Sequence, residues 1–243
     1  MRGPYGIGRL LRALRRTDPS AGGAPAAAGS ADLLLRVLCH ELRTPVTTLS
    51  SLTRALADEA RPLTGEDRRA ISVLARDQAA YLQTLLGEAA TSVAALTLVS
   101  GPDERAVPLA EVLPAVAMLV PVERRRVRIT REAARCPVSA RRTRQMLGNL
   151  VENALRHGPA AGRVGIRAER RGGALSISVL DEGRVAHGLV EALRRPAPAT
   201  GMSGLGLWIV RELVAADGGR MRLHRLRPDG VAVELLLPAR HTG

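Results

Sequence analysis

A chain of 243 residues with 46% hydrophobic content has room for one sizeable domain and a smaller one. The two cysteines, Cys39 and Cys136, are too few and too far apart for a disulfide framework, which fits a reducing cytoplasm. The formal charge of +13 invites a nucleic-acid reading, but no base-reading or stacking motif accompanies it, and aromatics make up just 1% of the chain.

All 36 basic residues are Arg, and Phe is absent as well as Lys. These missing types share AT-rich codons, so a GC-rich genome accounts for the bias without any function. The longest apolar stretch is read as Ala106 to Val122, which Glu111, Pro108, Pro114 and Pro121 break up. It is too short to span a bilayer, and no signal peptide is evident.

Residues 1–16 place Ile7, Leu10, Leu11 and Leu14 at helical spacing among Arg9, Arg12, Arg15 and Arg16. That pattern suits a short basic helix on an anionic membrane or partner, although so short a segment also reads as a frayed tail. Residues 17–31, rich in Ala, Gly, Pro and Ser, read as a flexible linker. Residues 1–31 are therefore expected to be tail and linker, 32–100 a helical domain, and 101–240 a second domain.

Over 32–99 the spacing predicts a helical hairpin. Leu34, Leu38, Leu42, Val46, Leu49, Leu52 and Leu56 recur at threes and fours. The segment Arg61 to Asp67 breaks the pattern. A second stripe follows through Ile71, Leu74, Gln78, Leu82, Leu85, Ala89, Val93 and Leu96. Two such helices alone leave much of their apolar faces wet. Pairing two hairpins into a four-helix bundle would cover them, so a homodimer is expected.

The first helix carries His40-Glu41-Leu42-Arg43-Thr44-Pro45. A carboxylate beside an imidazole can hold one tautomer and leave the other ring nitrogen free, as a nucleophilic histidine requires. At about 100° per residue, His40 lies about 200° from Leu38 and about 160° from Leu42, so it should face solvent. Thr44, one turn on, shares that face. Pro45 removes one backbone donor and predicts a kink beside the histidine.

From residue 103 the pattern changes to alternating short strands and helices. Strands are expected at 127–130, 164–168 and 174–180, helices at 142–157 and 205–216, and a closing strand hairpin at 221–226 and 231–237. This describes a mixed sheet with helices on one face.

Asn149 and Asn153 lie one turn apart on the 142–157 helix and are the only asparagines in the chain. A carboxamide oxygen is a hard Mg²⁺ ligand that adds no repulsion beside phosphates. Arg156 and His157 follow, and Arg156 could reach phosphate oxygens. Asp181-Glu182-Gly183 ends a strand, where a carboxylate can accept from an exocyclic amine. Ser203-Gly204-Leu205-Gly206 precedes a helix, where glycines admit phosphate to backbone N–H groups at the helix's positive end. Each of these two is weak alone; the ordered set is not.

Together these motifs resemble bacterial sensor histidine kinases over about residues 32–240. Residues 40–45 match the phosphoacceptor box. The second half is similar to the ATP-binding domain shared with DNA gyrase and MutL. The resemblance implies an α+β architecture, a dimeric helical hairpin followed by a two-layer α/β sandwich with a mobile lid. It implies that His40 accepts the γ-phosphoryl group of ATP, with Glu41 as base or orienting partner. Thr44 matches the position that positions water in dephosphorylation. Asn153 would ligate Mg²⁺ with Asn149 beside it; Asp181 would bind the adenine amino group and Gly183 would pack by the base. Gly204, Leu205 and Gly206 would frame the phosphates.

The expected phosphoryl recipient is an Asp of a response regulator. The two domains must then meet, with a hinge near Gly101-Pro102. Input is expected from a separate sensor or membrane partner. The chain departs from the family pattern at Val185, where a glycine is usual, and at Met202. Val190 and Leu193 stand in for two phenylalanines of the lid. A catalytically weakened ATP-binding scaffold or response-regulator phosphatase is the alternative these departures raise.

Overall fold

Two long helices, α1 (Ala24–Ala57) and α2 (Gly65–Ser100), open the fold. The structure, a computed structural model, describes residues 24–58, 62–100, 105–184, 190 and 205–238. The basic segment 1–16, the expected Gly101-Pro102 hinge, the variant positions Val185, Leu193 and Met202, and the candidate phosphate residue Gly204 lie outside the described residues. The described chain divides into two compact units, one ending at Ala94 and one beginning at Ala95.

In the first unit the stripe residues Leu34, Leu38, Leu85, Ala89 and Val93 are buried. Val46, Val73, Leu74 and Tyr81 are each at least 44% exposed. α1 starts inside the stretch read as linker. Pro25 does not prevent this, because a proline in the first turn removes an N–H that has no intrahelical partner. α1 is assigned as one helix through Pro45. Five hydroxyls beyond it, Thr47, Thr48, Ser50, Ser51 and Thr53, donate back to carbonyls one turn earlier.

α2 begins with a reciprocal cap. The Asp67 amide donates to Thr64 Oγ1 at 3.1 Å, and Thr64's amide donates to Asp67 Oδ2 at 3.2 Å. The Thr64 hydroxyl adds a 2.6 Å bond to the same carboxylate oxygen, and these bonds hold the Asp67 carboxyl below the usual range. The part of α2 from Gly65 to Val99 is long and apolar enough, by length and composition, to cross a membrane. Length and composition alone do not make a span.

The second unit holds β1 (Ala106–Pro108), α3 (Leu109–Ala117), β2 (Arg125–Ile129), α4 (Arg131–Ala134), β3 (Pro137–Ser139) and α5 (Ala140–His157). β4 (Val164–Arg171), β5 (Ala174–Asp181), α6 (Leu205–Ala216), β6 (Arg220–Arg225) and β7 (Val231–Pro238) complete it. β1 pairs antiparallel with β3, and the main sheet has the order β2-β4-β5-β7-β6. β2 runs parallel to β4 and every other pair in that sheet is antiparallel. The mixed sheet matches the expectation. β1, β3 and the two helices between them are new.

Gly172 and Gly173, both at positive φ, turn β4 into β5. The core lies where Val112 and Val116 of α3, Met146, Leu147 and Leu150 of α5 and Leu213 of α6 meet Ile166, Leu175, Ile177 and Leu235 of the sheet. All are no more than 2% exposed. Each such side chain contributes about 1.5–3 kcal/mol by leaving water.

Alternate strand positions form the opposite face, which presents Arg126, Arg128, Arg167, Arg171, Arg220 and Arg222 to solvent. Ser176 and Glu234 are buried on that face. Ser176 Oγ donates to Glu234 Oε1 at 2.7 Å, and His224 Nε2 lies 2.7 Å from Oε2. Burial pushes the Glu234 carboxyl up, but the bonds from Ser176 and His224 and the charges of His224 and Arg222 outweigh it and leave it below its ordinary value.

Candidate functional site

The phosphoacceptor candidates share α1. His40 and Thr44 are exposed, as the helical phase predicts, and Glu41 is half-buried. Pro45 is buried and lacks an amide hydrogen, so the carbonyl of Glu41 has no donor from the position one turn on. The Thr44 carbonyl accepts from the Thr48 hydroxyl at 3.0 Å.

In the second unit, α5 carries four of the predicted residues. Ser139 caps its start, its hydroxyl accepting from the Arg142 amide, and Gly158 closes its end. One face of α5 buries Met146, Leu147, Leu150, Val151 and Ala154. Asn149 and Asn153 lie half-exposed at its border. Asn149 Nδ2 donates to the carbonyl of Gly206 at 3.3 Å, and Gln145 Nε2 donates to Asn149 Oδ1 at 3.1 Å. The first asparagine is thus engaged at both ends in joining α5 to α6. Asn153 makes no side-chain hydrogen bond to the described residues, so its carboxamide oxygen is open to a ligand. Arg156 pairs with Glu152 at 2.8 Å across one exposed turn, and His157 is exposed.

The end of β5 meets the end of α5. The amide of Gly183 donates to Asp181 Oδ1 at 2.6 Å. Burial raises the Asp181 carboxyl above its ordinary value, against the opposing effects of that bond and of nearby His157. Glu182 turns away and accepts from the Arg163 amide at 3.0 Å. A Cβ on Gly183 would lie 2.5 Å from Asp181 Oδ1 and 3.4 Å from the Gly158 Cα. A Cβ on Gly158 would lie 2.6 Å from the Ala154 carbonyl oxygen and 3.5 Å from the Asp181 Cβ. Both glycines are required by this close approach.

Leu205 is buried at the first position of α6, and Gly206 packs against Asn149. A Cβ at Gly206 would meet Asn149 at an ordinary 3.8 Å, so space alone does not demand glycine there. Asn153 sits on α5 between the Asn149–Gly206 contact and the Asp181–Gly183–Gly158 corner. Gly158 and Gln145 were missed as site residues. Gln145 lies on the 142–157 helix and Gly158 directly after it, but neither type is a ligand, and no sequence signal marks a residue that holds another in place.

The family model described as "Histidine kinase-, DNA gyrase B-, and HSP90-like ATPase" matches residues 138–241. The model described as "His Kinase A (phospho-acceptor) domain" matches residues 30–89. The chain belongs to the bacterial sensor histidine kinase family. Among the kinases it resembles, the sensor histidine kinase GlrK of Escherichia coli K12 is 26% identical over 222 residues, 84% of this chain and 46% of that protein. The sensor protein kinase PmrB of Pseudomonas aeruginosa is 42% identical over 101 residues, 38% of this chain and 21% of that protein. The chain thus spans less than half the length of these kinases. The histidine kinase AdeS of Acinetobacter baumannii shares the fold at a TM-score of 0.56 and 20% identity, over 83% of this chain and 98% of that one. The architecture of this kinase family, a phosphoacceptor helical region followed by an α/β ATPase-type domain, is the one described above.

Proposed function

We propose that this chain is a protein-histidine kinase that phosphorylates its own His40 from ATP and passes the phosphoryl group to an Asp of a response regulator. The observation that carries the reading is the pairing of two sites in one chain. One is an exposed His40 within the matched phosphoacceptor region; the other is the proposed nucleotide corner, where Asp181, Gly183 and Gly158 meet at the end of α5, the helix that also carries Asn153.

Adenine recognition falls to Asp181. Gly183 occupies Oδ1, which leaves Oδ2 to accept from an exocyclic amine. Gly158 and Gly183, lacking side chains, let backbone lie against a flat base. Asn153 fits an Mg²⁺ ligand, as its oxygen is hard, neutral and unengaged, whereas the Asn149 oxygen is held by Gln145. Mg²⁺, when bound, would neutralise the charge of the phosphates. The N-terminal end of α6 adds its free amides toward the same phosphates. The His40 imidazole, with Glu41 beside it to hold one tautomer, offers a ring nitrogen to the γ-phosphorus. The new N–P bond forms as the bond to the β,γ-bridging oxygen breaks, and ADP leaves with that electron pair. Thr44, exposed on the same face, is the residue that would position water for the reverse, phosphatase task.

The exposed Val46, Val73, Leu74 and Tyr81 support dimerisation through the helical region. Two unpaired cysteines, Cys39 exposed and Cys136 buried, agree with a cytoplasmic setting. The test is labelling from γ-³²P-ATP. Acid-labile label should appear on the parent and be absent from His40→Gln. Equal label on that variant removes His40 from the reaction. Nucleotide binding by the parent without any label leaves the scaffold or phosphatase reading in its place.

A further inference from the structure

The first turn of α5 buries Arg142, which is 7% exposed. Its guanidinium points in two directions. Nη1 lies 2.8 Å from Asp217 Oδ1, just past the end of α6, in an ion pair whose side chains are 9% and 8% exposed. Nε donates at 2.8 Å to the carbonyl of Leu98, in the last turn of α2. That carbonyl is one of the helix-terminal acceptors that lack an intrahelical donor.

An ion pair this deeply buried costs desolvation on both sides, and an apolar pair of the same volume often packs as well or better. Stability alone is therefore a poor account of it. What an apolar pair would lack is the rigid fork of a guanidinium, which fixes direction toward two partners at once. α5 and α6 are joined a second time, two turns along α5, by the Asn149–Gly206 bond, one turn before Asn153. A shift of α6 at its N-terminal end is carried along the helix to Asp217, and from there through Arg142 to the tail of α2. α2 is the helix that leaves the phosphoacceptor region, and it runs unbroken across the boundary between the units.

We propose that Arg142 is a positioning residue that couples the nucleotide corner to the last turn of α2. Filling the corner and tightening residues 95–99 are then one event. This rests on the reading of the second unit as nucleotide-binding.

Hydrogen exchange on the full chain tests it, with and without a non-hydrolysable ATP analogue and Mg²⁺, alongside a separate titration of analogue affinity. In the parent, the analogue should slow exchange at residues 95–99 by about threefold or more. Arg142→Lys keeps a charge opposite Asp217 but carries its donors on one head rather than a fork. Its affinity should stay within about threefold of the parent, while the nucleotide-dependent protection at 95–99 disappears. Asp217→Asn provides a second variant should the lysine form fail to fold. Unchanged exchange at 95–99 when the parent binds analogue overturns the coupling and leaves the kinase reading standing. Full protection retained in the folded variants overturns it too. Failure of the parent to bind analogue at all overturns both.

Discussion

Asn149 gives its carboxamide N–H to the backbone of Gly206 and takes a bond from Gln145, so the two asparagines of α5 have different tasks. Asn149→Ala should cost about 1 kcal/mol of stability, the net value of a partly buried hydrogen bond, and weaken nucleotide binding only as α6 loosens. Asn153→Ala should leave the denaturation midpoint unchanged and remove the Mg²⁺-dependent part of nucleotide affinity. Chemical denaturation and nucleotide titration with and without Mg²⁺ separate the two. Equal stability losses for both variants would refute the division.

Asp181 carries a carboxyl raised by burial, so the folded chain holds that proton more tightly than the unfolded chain does. Its ionisation therefore costs stability as pH rises through the raised value. Asp181→Asn should unfold at the same temperature as the parent or a higher one near neutral pH, yet bind adenine nucleotides at least about tenfold more weakly. In the parent, affinity should begin to fall in mild acid, above the range of an ordinary aspartate. Binding isotherms between neutrality and mild acid check this, and a flat profile would count against Asp181 as the adenine acceptor.

Gly158→Ala places a methyl group 2.6 Å from the Ala154 carbonyl and against Asp181. Backbone must shift to make room, at a cost of about 1–3 kcal/mol. Nucleotide affinity should drop with it, because the Asp181 corner moves. Gly87→Ala, with nothing near the added methyl in the middle of α2, is the control: it should raise stability by about 0.5–1 kcal/mol and leave nucleotide affinity unchanged.

Glu234→Ala leaves the Ser176 hydroxyl buried without an acceptor and removes the partner of His224. A loss of about 2 kcal/mol is expected. The parent's Glu234 carboxyl is held low, so its stabilising contribution is present above the ordinary glutamate range and is lost as pH falls through the lowered value. The stability gap between parent and variant should therefore close in acid, as read from urea midpoints across pH.

A double change, Val73→Glu with Leu74→Glu, puts two charges on the apolar patch of α2. Sedimentation velocity should show the parent as a dimer and the variant as a monomer with unchanged helix content. A variant that sediments with the parent would remove this patch from the interface.

The helical phase read from leucine spacing placed His40 outward and Leu34, Leu38 and Leu85 inward, because a regular helix translates sequence directly into direction. It could not tell that Leu74 and Val46 remain exposed, since periodicity defines a face but not what covers each part of it. The 205–216 helix was read to the residue, with a glycine-rich start and Asp217-Gly218-Gly219 after it. β1 and β3 escaped notice because three-residue strands that each contain a proline carry no readable alternation. Asn149's partner escaped because Gly206 lies 57 positions away. The proposed site was legible where a side chain can itself serve as a ligand, as with Asn153 and Asp181. It was not legible where a residue serves by having no side chain, as with Gly158, or by bracing a neighbour, as with Gln145 and Arg142.

The run of α2 past Ala94 into the ATPase-type half has a practical corollary for anyone building hybrids of this protein. A graft that swaps the N-terminal half for that of a related kinase should place its seam upstream of Ala95. A seam after Ser100 would import a foreign backbone segment under the Arg142 fork. Such a hybrid would answer its new input poorly even with every recognised motif intact.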